Sequence, residues 1–174
     1  MPRSGTVTRG TLLHVASAFV AAAALPSIAR AERYTVAMSP AAWLRRLGPA
    51  RYAILREGGT EAPYSSPLDK EFAAGRYLCA GCNRPAFSSA TKYHAGEGWP
   101  SFWDVLPGAV RYKKDYQLIG EVRTEVHCSR CGGHLGHRFH DGPQPTGLRY
   151  CIDGLALRFI PEHGAGRGRS SARG

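Results

Sequence analysis

Apolar residues follow three different patterns along this chain. Leu12 to Leu25 is almost continuously apolar, Trp43 to Arg56 carries apolar residues at helical spacing, and alternation prevails from Tyr77 onward. The Gly-Pro pair at 48–49 interrupts the helical stretch, so the pattern predicts a helix broken into two parts. The glycines and prolines that follow predict mostly loop, with a short helix at 69–74.

Short segments rich in β-branched and aromatic residues, bounded by glycine, proline and aspartate, predict strands in the rest of the chain. They are Tyr77–Leu78, Pro85–Phe87, Ala109–Tyr112, Tyr116–Val126 and Arg149–Ile160. Short strands separated by frequent turns favour antiparallel pairing. The sequence therefore predicts a mainly β fold: a small antiparallel two-sheet domain with a short N-terminal helical segment packed against it.

The first 31 residues have the pattern of an export signal. A basic start without acidic residues precedes the apolar run, and Ala29-Arg30-Ala31 places small residues where a signal peptidase cuts. The run is shorter than the roughly 20 residues of a membrane span. We expect cleavage after Ala31, export to the bacterial periplasm and no stable membrane insertion, with an uncleaved anchor as the alternative. The remaining boundaries are a linker at 32–42, one domain at 43–161 and a disordered basic tail at 162–174.

Composition and charge indicate one folded domain. The chain has 174 residues, 43% hydrophobic and 21% charged, which is typical of a globular core. Removing residues 1–31, which contain three arginines and no acidic residue, lowers the net charge from +10 to +7. The remaining basic residues form no clustered stripe, so we expect no nucleic-acid partner, although a nucleic-acid-binding zinc module is an alternative that the charge permits.

The five cysteines divide into two Cys-x-x-Cys pairs and one single cysteine. Cys79 with Cys82 and Cys128 with Cys131 have the spacing of zinc knuckles, which together supply four thiolates to one tetrahedral zinc. Two local disulfides are the alternative, since an exported protein permits them. We expect a structural zinc that ties the two loops together. Cys151 is then free to act as a nucleophile or to lie in the core as an inert side chain.

The residues around Cys151 carry charges that bear on its reactivity. Alternation along a strand places Asp153 on the same face as Cys151. Arg149 and the nearby histidines are expected to lower the pKa of the Cys151 thiol.

Three histidines, His134, His137 and His140, follow the second knuckle at intervals of three. Gly136 argues against a helix that presents all three to a second metal. We therefore expect histidines on a loop that act as proton donors, with His140 on the surface.

Four motifs in a fixed order resemble the B-type methionine-R-sulfoxide reductase family. They are CAGC at 79–82, GWPSF at 98–102, CSRCGGHLGHRFHDGP at 128–143 and RYCIDGLAL at 149–157. The resemblance spans roughly residues 43–160. It implies the two-sheet fold, a zinc ion held by the four knuckle cysteines, and the reduction of methionine-R-sulfoxide in oxidised proteins or peptides.

The resemblance also assigns roles to individual residues. It implies that Cys151 attacks the sulfoxide sulfur and becomes a sulfenic acid, and that His134 and His137 orient and protonate the departing oxygen. The tryptophan of GWPSF packs on the methyl group of the substrate. The predicted substrate-binding residues are Trp99, Phe139 and Arg149.

Two positions depart from the pattern of the family. Glu97 stands where many relatives carry a second, resolving cysteine, so an external thiol, either small or on a thioredoxin-like protein, must reduce Cys151 directly. Asp153 replaces the usual asparagine, and we expect it to take part in catalysis by pairing with His134 or His137 and keeping that ring cationic. The alternative is a protonated Asp153 that donates a hydrogen bond as the asparagine amide does. A catalytically altered or inactive homologue is the alternative function. We expect a monomer.

Overall fold

The computed structural model describes Met1 and residues 34–162. All but the first residue of the predicted export signal, and all but the first residue of the predicted tail, lie outside the described residues.

One α-helix, α1 (Pro40–Glu57), precedes the sheets. The Ser39 hydroxyl accepts a hydrogen bond from the Ala42 amide, and Pro40 occupies the first turn, so the helix begins three residues earlier than predicted. Gly48, with φ 71° and ψ 166°, breaks the helix before Pro49, as predicted. The predicted linker thus ends inside the helix. Its described part also contacts the domain, because the Val36 amide donates to the Arg130 carbonyl at 3.0 Å.

Between residues 75 and 161, nine strands follow the helix, all paired antiparallel. They are β1 (Gly75–Cys79), β2 (Pro85–Ser88), β3 (Lys92–Tyr93), β4 (Ser101–Phe102), β5 (Val110–Asp115), β6 (Arg123–Cys128), β7 (His134–Phe139), β8 (Arg149–Ile152) and β9 (Leu157–Pro161). Three strands form one sheet in the order β2-β1-β9, and six form the other in the order β3-β4-β8-β7-β6-β5. The predicted fold class is confirmed.

Several predicted element boundaries are wrong. The predicted strand Tyr116–Val126 is a loop as far as residue 122, and the predicted strand Arg149–Ile160 is divided by a 3-10 turn at Gly154–Ala156. The predicted short helix lies earlier, as a 3-10 turn at Pro67–Asp69. The histidine segment, predicted as a loop, is the central strand β7. Its sequence has weak strand propensity, but β6 and β8 pair with it on both sides and hold it in the sheet.

Aromatic side chains from both sheets meet in the core. The Phe102 ring of the larger sheet stacks on Phe87 with centroids 4.5 Å apart and meets Tyr77 edge-on at 4.9 Å. All three side chains are fully buried. Offset and edge-to-face pairs of this kind add to the energy of burial, and they fix the two sheets against each other.

Candidate active site

The two cysteine knuckles have the same backbone turn. In the first, the amide of Asn83 donates to the Cys79 carbonyl, and in the second the amide of Gly132 donates to the Cys128 carbonyl. Asn83 and Gly132 occupy equivalent positions and both have positive φ, 59° and 67°. This left-handed residue closes each turn and points both thiols of a knuckle inward.

The four knuckle thiols form a tetrahedral donor set. Cys79 Sγ lies 3.7 Å from Cys131 Sγ, Cys82 Sγ lies 3.5 Å from Cys128 Sγ, and all four sulfurs are within 4.8 Å of one another. Zinc–sulfur bonds of ~2.3 Å in a tetrahedron place the sulfurs about 3.8 Å apart. All five cysteines are free thiols. The residues fit a structural zinc ion, and the predicted disulfide alternative does not apply.

Helix α1 contacts both knuckles. Arg46 Nε donates to the Gly81 carbonyl and Arg56 donates to the Cys131 carbonyl, each at 3.0 Å. Across residues 34–162, the four cysteines are the only group of three or more metal-ligating side chains at coordination distance. The histidines do not assemble a second metal site.

Cys151 lies on β8 between two strands of the larger sheet. Its cross-strand neighbours are Ser101 on β4 and His137 on β7. Cys151 lines a cleft of about 150 Å³. The cleft is lined by Thr60, Glu97, Trp99, Arg123, Gly136, His137, Phe139, Cys151 and Asp153. Five of the predicted site residues therefore meet in one place.

Gly136 is required for the close approach of β7 to β8 beside Cys151. Its φ is 148°, and a Cβ at this position would lie 2.2 Å from the carbonyl oxygen of Cys151. The two backbones would have to separate to accommodate a Cβ, which would displace Cys151, so only glycine fits at this position.

The thiol of Cys151 is protonated at neutral pH. Burial raises its pKa to about 12; the Arg149 guanidinium opposes the shift, while the carboxylates of Glu97 and Asp153 add to it. We expected Arg149 and the histidines to lower this pKa. Arg149 acts in the expected direction, but desolvation and two nearby carboxylates outweigh it, so the pKa of the thiol is raised overall.

Arg149 is buried and holds together the wall of the cleft. Its guanidinium binds both carboxylate oxygens of Asp141, at 2.9 and 2.7 Å, and contacts Glu97. It also lies 4.4 Å from the centroid of the Phe139 ring. Arg149 is not among the residues that line the cleft, but it contacts two that are, Glu97 and Phe139.

A buried carboxylate, Glu61, connects Trp99 of the cleft to the turn after β8. Its oxygens accept hydrogen bonds from the amides of Gly154 and Leu155 at 2.6 and 2.8 Å, and its own amide donates to Asp153 Oδ1 at 3.0 Å. The Trp99 indole donates to the Glu61 carbonyl at 3.2 Å. Glu61 therefore fixes Trp99 and Asp153 relative to each other.

His137 lines the cleft and is anchored to Asp115. Its Nε2 lies 2.7 Å from Asp115 Oδ2, which also binds Arg123 at 2.7 Å. Burial lowers the pKa of His137, although Asp115 acts in the opposite direction. The ring is thus neutral at pH 7 and able to accept a proton.

His134 lies behind the cleft and does not line it. Its Nδ1 is 3.2 Å from Glu125 Oε1, and its Nε2 is 3.6 Å from Asp153 Oδ2, an ion-pair distance that is too long for a hydrogen bond. Burial acts to lower the pKa of His134, but the two carboxylates prevail and raise it to about 9. The predicted partner of Asp153 is thus His134 and not His137.

Sequence reasoning missed several residues of the site. They are Glu61, Asp115, Arg123, Glu125 and Asp141. Glu61 is 92 residues from its partner Asp153, whereas the pairs Asp115–Arg123 and Asp141–Arg149 are each eight residues apart but on different strands or loops, so no local motif marks them. His140 is exposed, as expected.

Known proteins resemble this chain over most of its length. The SelR domain family matches residues 47–161. A peptide methionine sulfoxide reductase MsrB of Agrobacterium fabrum is 52% identical over 71% of this chain and 91% of its own. The proteins of the same name from Leptospira interrogans and Thiobacillus denitrificans are 48% and 50% identical over 74% and 70% of this chain and 98% and 92% of theirs. The crystal structure of the Mis18 Yippee-like domain gives a TM-score of 0.41 at 16% identity, covering 50% of this chain and 95% of that one, which is too low to support an argument.

Proposed function

The chain belongs to the B-type peptide methionine sulfoxide reductase family and reduces methionine-R-sulfoxide with a thiol, and we propose that Cys151 is the residue that takes the oxygen. The observation that supports this assignment is the position of Cys151 in the cleft. It is the one cysteine outside the zinc cluster, and it lies opposite His137 on the next strand. The zinc is structural and takes no part in the reaction.

The proton balance of the reaction agrees with a neutral thiol. The electron pair of Cys151 Sγ attacks the sulfoxide, the S–O bond of the substrate breaks, and the oxygen becomes the hydroxyl of a cysteine sulfenic acid. No net proton is consumed, because the thiol proton replaces the one that the departing oxygen acquires. Neutral His137 accepts the thiol proton. Cationic His134 lies behind the cleft, so its proton reaches the oxygen through Asp153, the cleft-lining carboxylate 3.6 Å from its Nε2, once the two side chains close to hydrogen-bond distance.

Selection of the R epimer requires separate places for the methyl group, the oxygen and the rest of the side chain. Trp99 and Phe139 give an apolar wall for the methyl group, and the side of the cleft with Asp153 and His137 is polar. Trp99 is held by its hydrogen bond to Glu61, so the apolar wall cannot rotate away. The S epimer would place its oxygen against the aromatic rings, where no donor is available.

The residues 34–162 with dithiothreitol should therefore consume only one epimer of free methionine sulfoxide. Chiral chromatography of the remaining substrate checks this prediction. We expect the R epimer to disappear and the S epimer to persist. Equal consumption of both, or of neither, would contradict the proposed function.

Asp153→Asn should leave a folded, active protein. The alkaline limb of its pH–rate profile, where the rate declines as pH rises, should lie at lower pH than in the wild type. Loss of one of the two carboxylates lowers the pKa of His134 from about 9 towards its ordinary value, so the acid is lost earlier as pH rises. The same change lowers the pKa of Cys151, because Asp153 contributes to raising it. We expect the rate at pH 6 to be retained and the alkaline limb to move down by about one pH unit.

A pH–rate profile of the variant from pH 5 to 10, beside that of the wild type, checks the expectation for Asp153. Glu162→Gln is a matched control, because Glu162 is an exposed carboxylate at the end of the domain. Superimposable profiles for Asp153→Asn and the wild type would remove any electrostatic role of Asp153.

We also propose that the enzyme is a monomer. An external reductant must reach Cys151 directly. Glu97 occupies the position of a resolving cysteine in the cleft and contacts Arg149. The four other thiols belong to the zinc cluster. A small thiol or a thioredoxin-like protein must then attack the sulfenic acid itself.

We also propose export to the periplasm, with cleavage after Ala31. The basic start, the apolar run and the Ala-Arg-Ala sequence support it. Among Met1 and residues 34–162, the structure contains no helix that is long and apolar enough to cross a membrane. Amino-terminal sequencing of protein from the periplasmic fraction should begin at Glu32; recovery of the uncut chain from the cytoplasm would contradict this.

A further inference from the structure

His134 separates two cavities that share no lining residue. Its partner Asp153 lines the substrate cleft, whereas His134 itself lines a second cavity of about 150 Å³. The second cavity is formed by α1, β5, β6 and the second knuckle. Its lining residues are Leu55, Arg56, Glu57, Gly58, Lys113, Gln117, Glu125, Gly132 and His134.

Glu125 connects His134 to this second cavity. One carboxylate oxygen lies 3.2 Å from His134 Nδ1, and the other lies 3.0 Å from Lys113 Nζ. The Glu125 side chain is 9% exposed and that of Lys113 is 62% exposed. The series Lys113, Glu125, His134 and Asp153 therefore runs from solvent to the cleft.

Two buried carboxylates lie beside His134, Glu125 on β6 and Asp153 in the turn after β8, and a positive charge on the ring between them stabilises both. A buried carboxylate without a cationic partner is strongly destabilised, and neither Glu125 nor Asp153 has another buried cation beside it. The other charged or titratable groups near His134 are Arg56 and Glu57 of α1 and His137 of β7, whose ring centroid is 5.3 Å away.

We propose that Glu125 is a positioning residue that, with Asp153, keeps His134 cationic, and that the second cavity gives solvent and small ions a route to this ion pair. This inference rests on the proposed function. The direction of the pKa of Glu125, which His134 and Lys113 lower against the effect of burial, agrees with an ionised carboxylate beside a cation.

The first test compares Glu125→Gln with the wild type. The variant keeps the size of the side chain and removes its charge, so the pKa of His134 should fall by about one unit or more. The alkaline limb of the pH–rate profile should move with it, which lowers the rate at pH 8.5 about threefold for a one-unit shift. A titration of the histidine ring protons by NMR gives the same pKa independently of catalysis, which a merely structural role of Glu125 would not change.

Glu121→Gln is the matched control, because Glu121 is an exposed carboxylate that precedes the same strand and lines neither cavity. Its profile should match that of the wild type. If folded Glu125→Gln has the same alkaline limb and the same His134 pKa by NMR as the wild type, the proposed role of Glu125 is overturned. The wild type, assayed with the R epimer in the same buffers, shows separately whether the proposed function holds.

The second test uses Glu125→Ala with added formate. Removing the side chain leaves room beside His134 for a small carboxylate that enters through the second cavity. We expect formate, but not chloride at equal ionic strength, to move the lowered alkaline limb back towards that of the wild type when a sulfoxide-containing peptide is the substrate. Failure of formate to move the limb in protein that remains folded, judged by circular dichroism, would overturn the route through this cavity.

Discussion

Cys151→Ser is expected to abolish the reduction of methionine-R-sulfoxide while leaving the fold and the zinc content unchanged. A serine hydroxyl cannot accept the sulfoxide oxygen, so the chemical step itself is lost. Removal of a nucleophile in other enzymes lowers kcat by about 10⁶-fold, and we expect a loss of more than about 10⁴-fold here. The assay is consumption of the R epimer with dithiothreitol, alongside metal analysis and circular dichroism of the same sample.

The chemical form of Cys151 in the oxidised wild type tests its role as the nucleophile independently. After one turnover without reductant, a dimedone-type reagent should label Cys151, and mass spectrometry should find no new internal disulfide. A disulfide between Cys151 and any of the four knuckle cysteines would show that those thiols are not committed to zinc. Residual activity of Cys151→Ser within tenfold of the wild type would refute its role as nucleophile.

Removal of zinc is expected to unfold the domain. Structural zinc contributes about 10–16 kcal/mol of apparent binding energy at pH 7, whereas whole domains are stable by only about 5–15 kcal/mol. The metal joins two loops on different sheets, and helix α1 is tied to the carbonyls of Gly81 and Cys131 within those loops. Loss of the metal therefore releases the helix as well as both knuckles.

Cys128→Ser and Cys151→Ser form a matched pair for this prediction. Both replace one thiol by a hydroxyl, but only Cys128 belongs to the zinc cluster. We expect one zinc per chain and a cooperative thermal transition in Cys151→Ser, and no zinc and no transition in Cys128→Ser. A metal-free wild type that still unfolds cooperatively would contradict the structural role of zinc.

The replacement of asparagine by Asp153 changes how the acid side of the reaction is controlled. Asp153 raises the pKa of the nucleophile and also helps to keep His134 cationic. The first effect slows attack and the second assists departure of the oxygen. A protein with this residue should therefore work best where His134 is still protonated, below about pH 9.

The sequence alone predicted the zinc ligands and the class of fold, and it indicated Cys151 as the nucleophile of the proposed reaction. Two Cys-x-x-Cys pairs fix their ligands through local turns, and each turn needs only one residue with positive φ, at Asn83 and Gly132. These features are local, so a pattern of neighbouring residues is sufficient to identify them. The same holds for the break at Gly48 and for the four motifs that indicate the family.

Only the tertiary structure decided the protonation states and the division of labour between the histidines. The pKa of Cys151 depends on its burial and on Glu97, which lies 54 residues earlier in the chain. His137 lines the cleft, whereas His134 lines a separate cavity beside Glu125. Desolvation and charge pairing arise from residues that are distant in sequence, so no local pattern can report them.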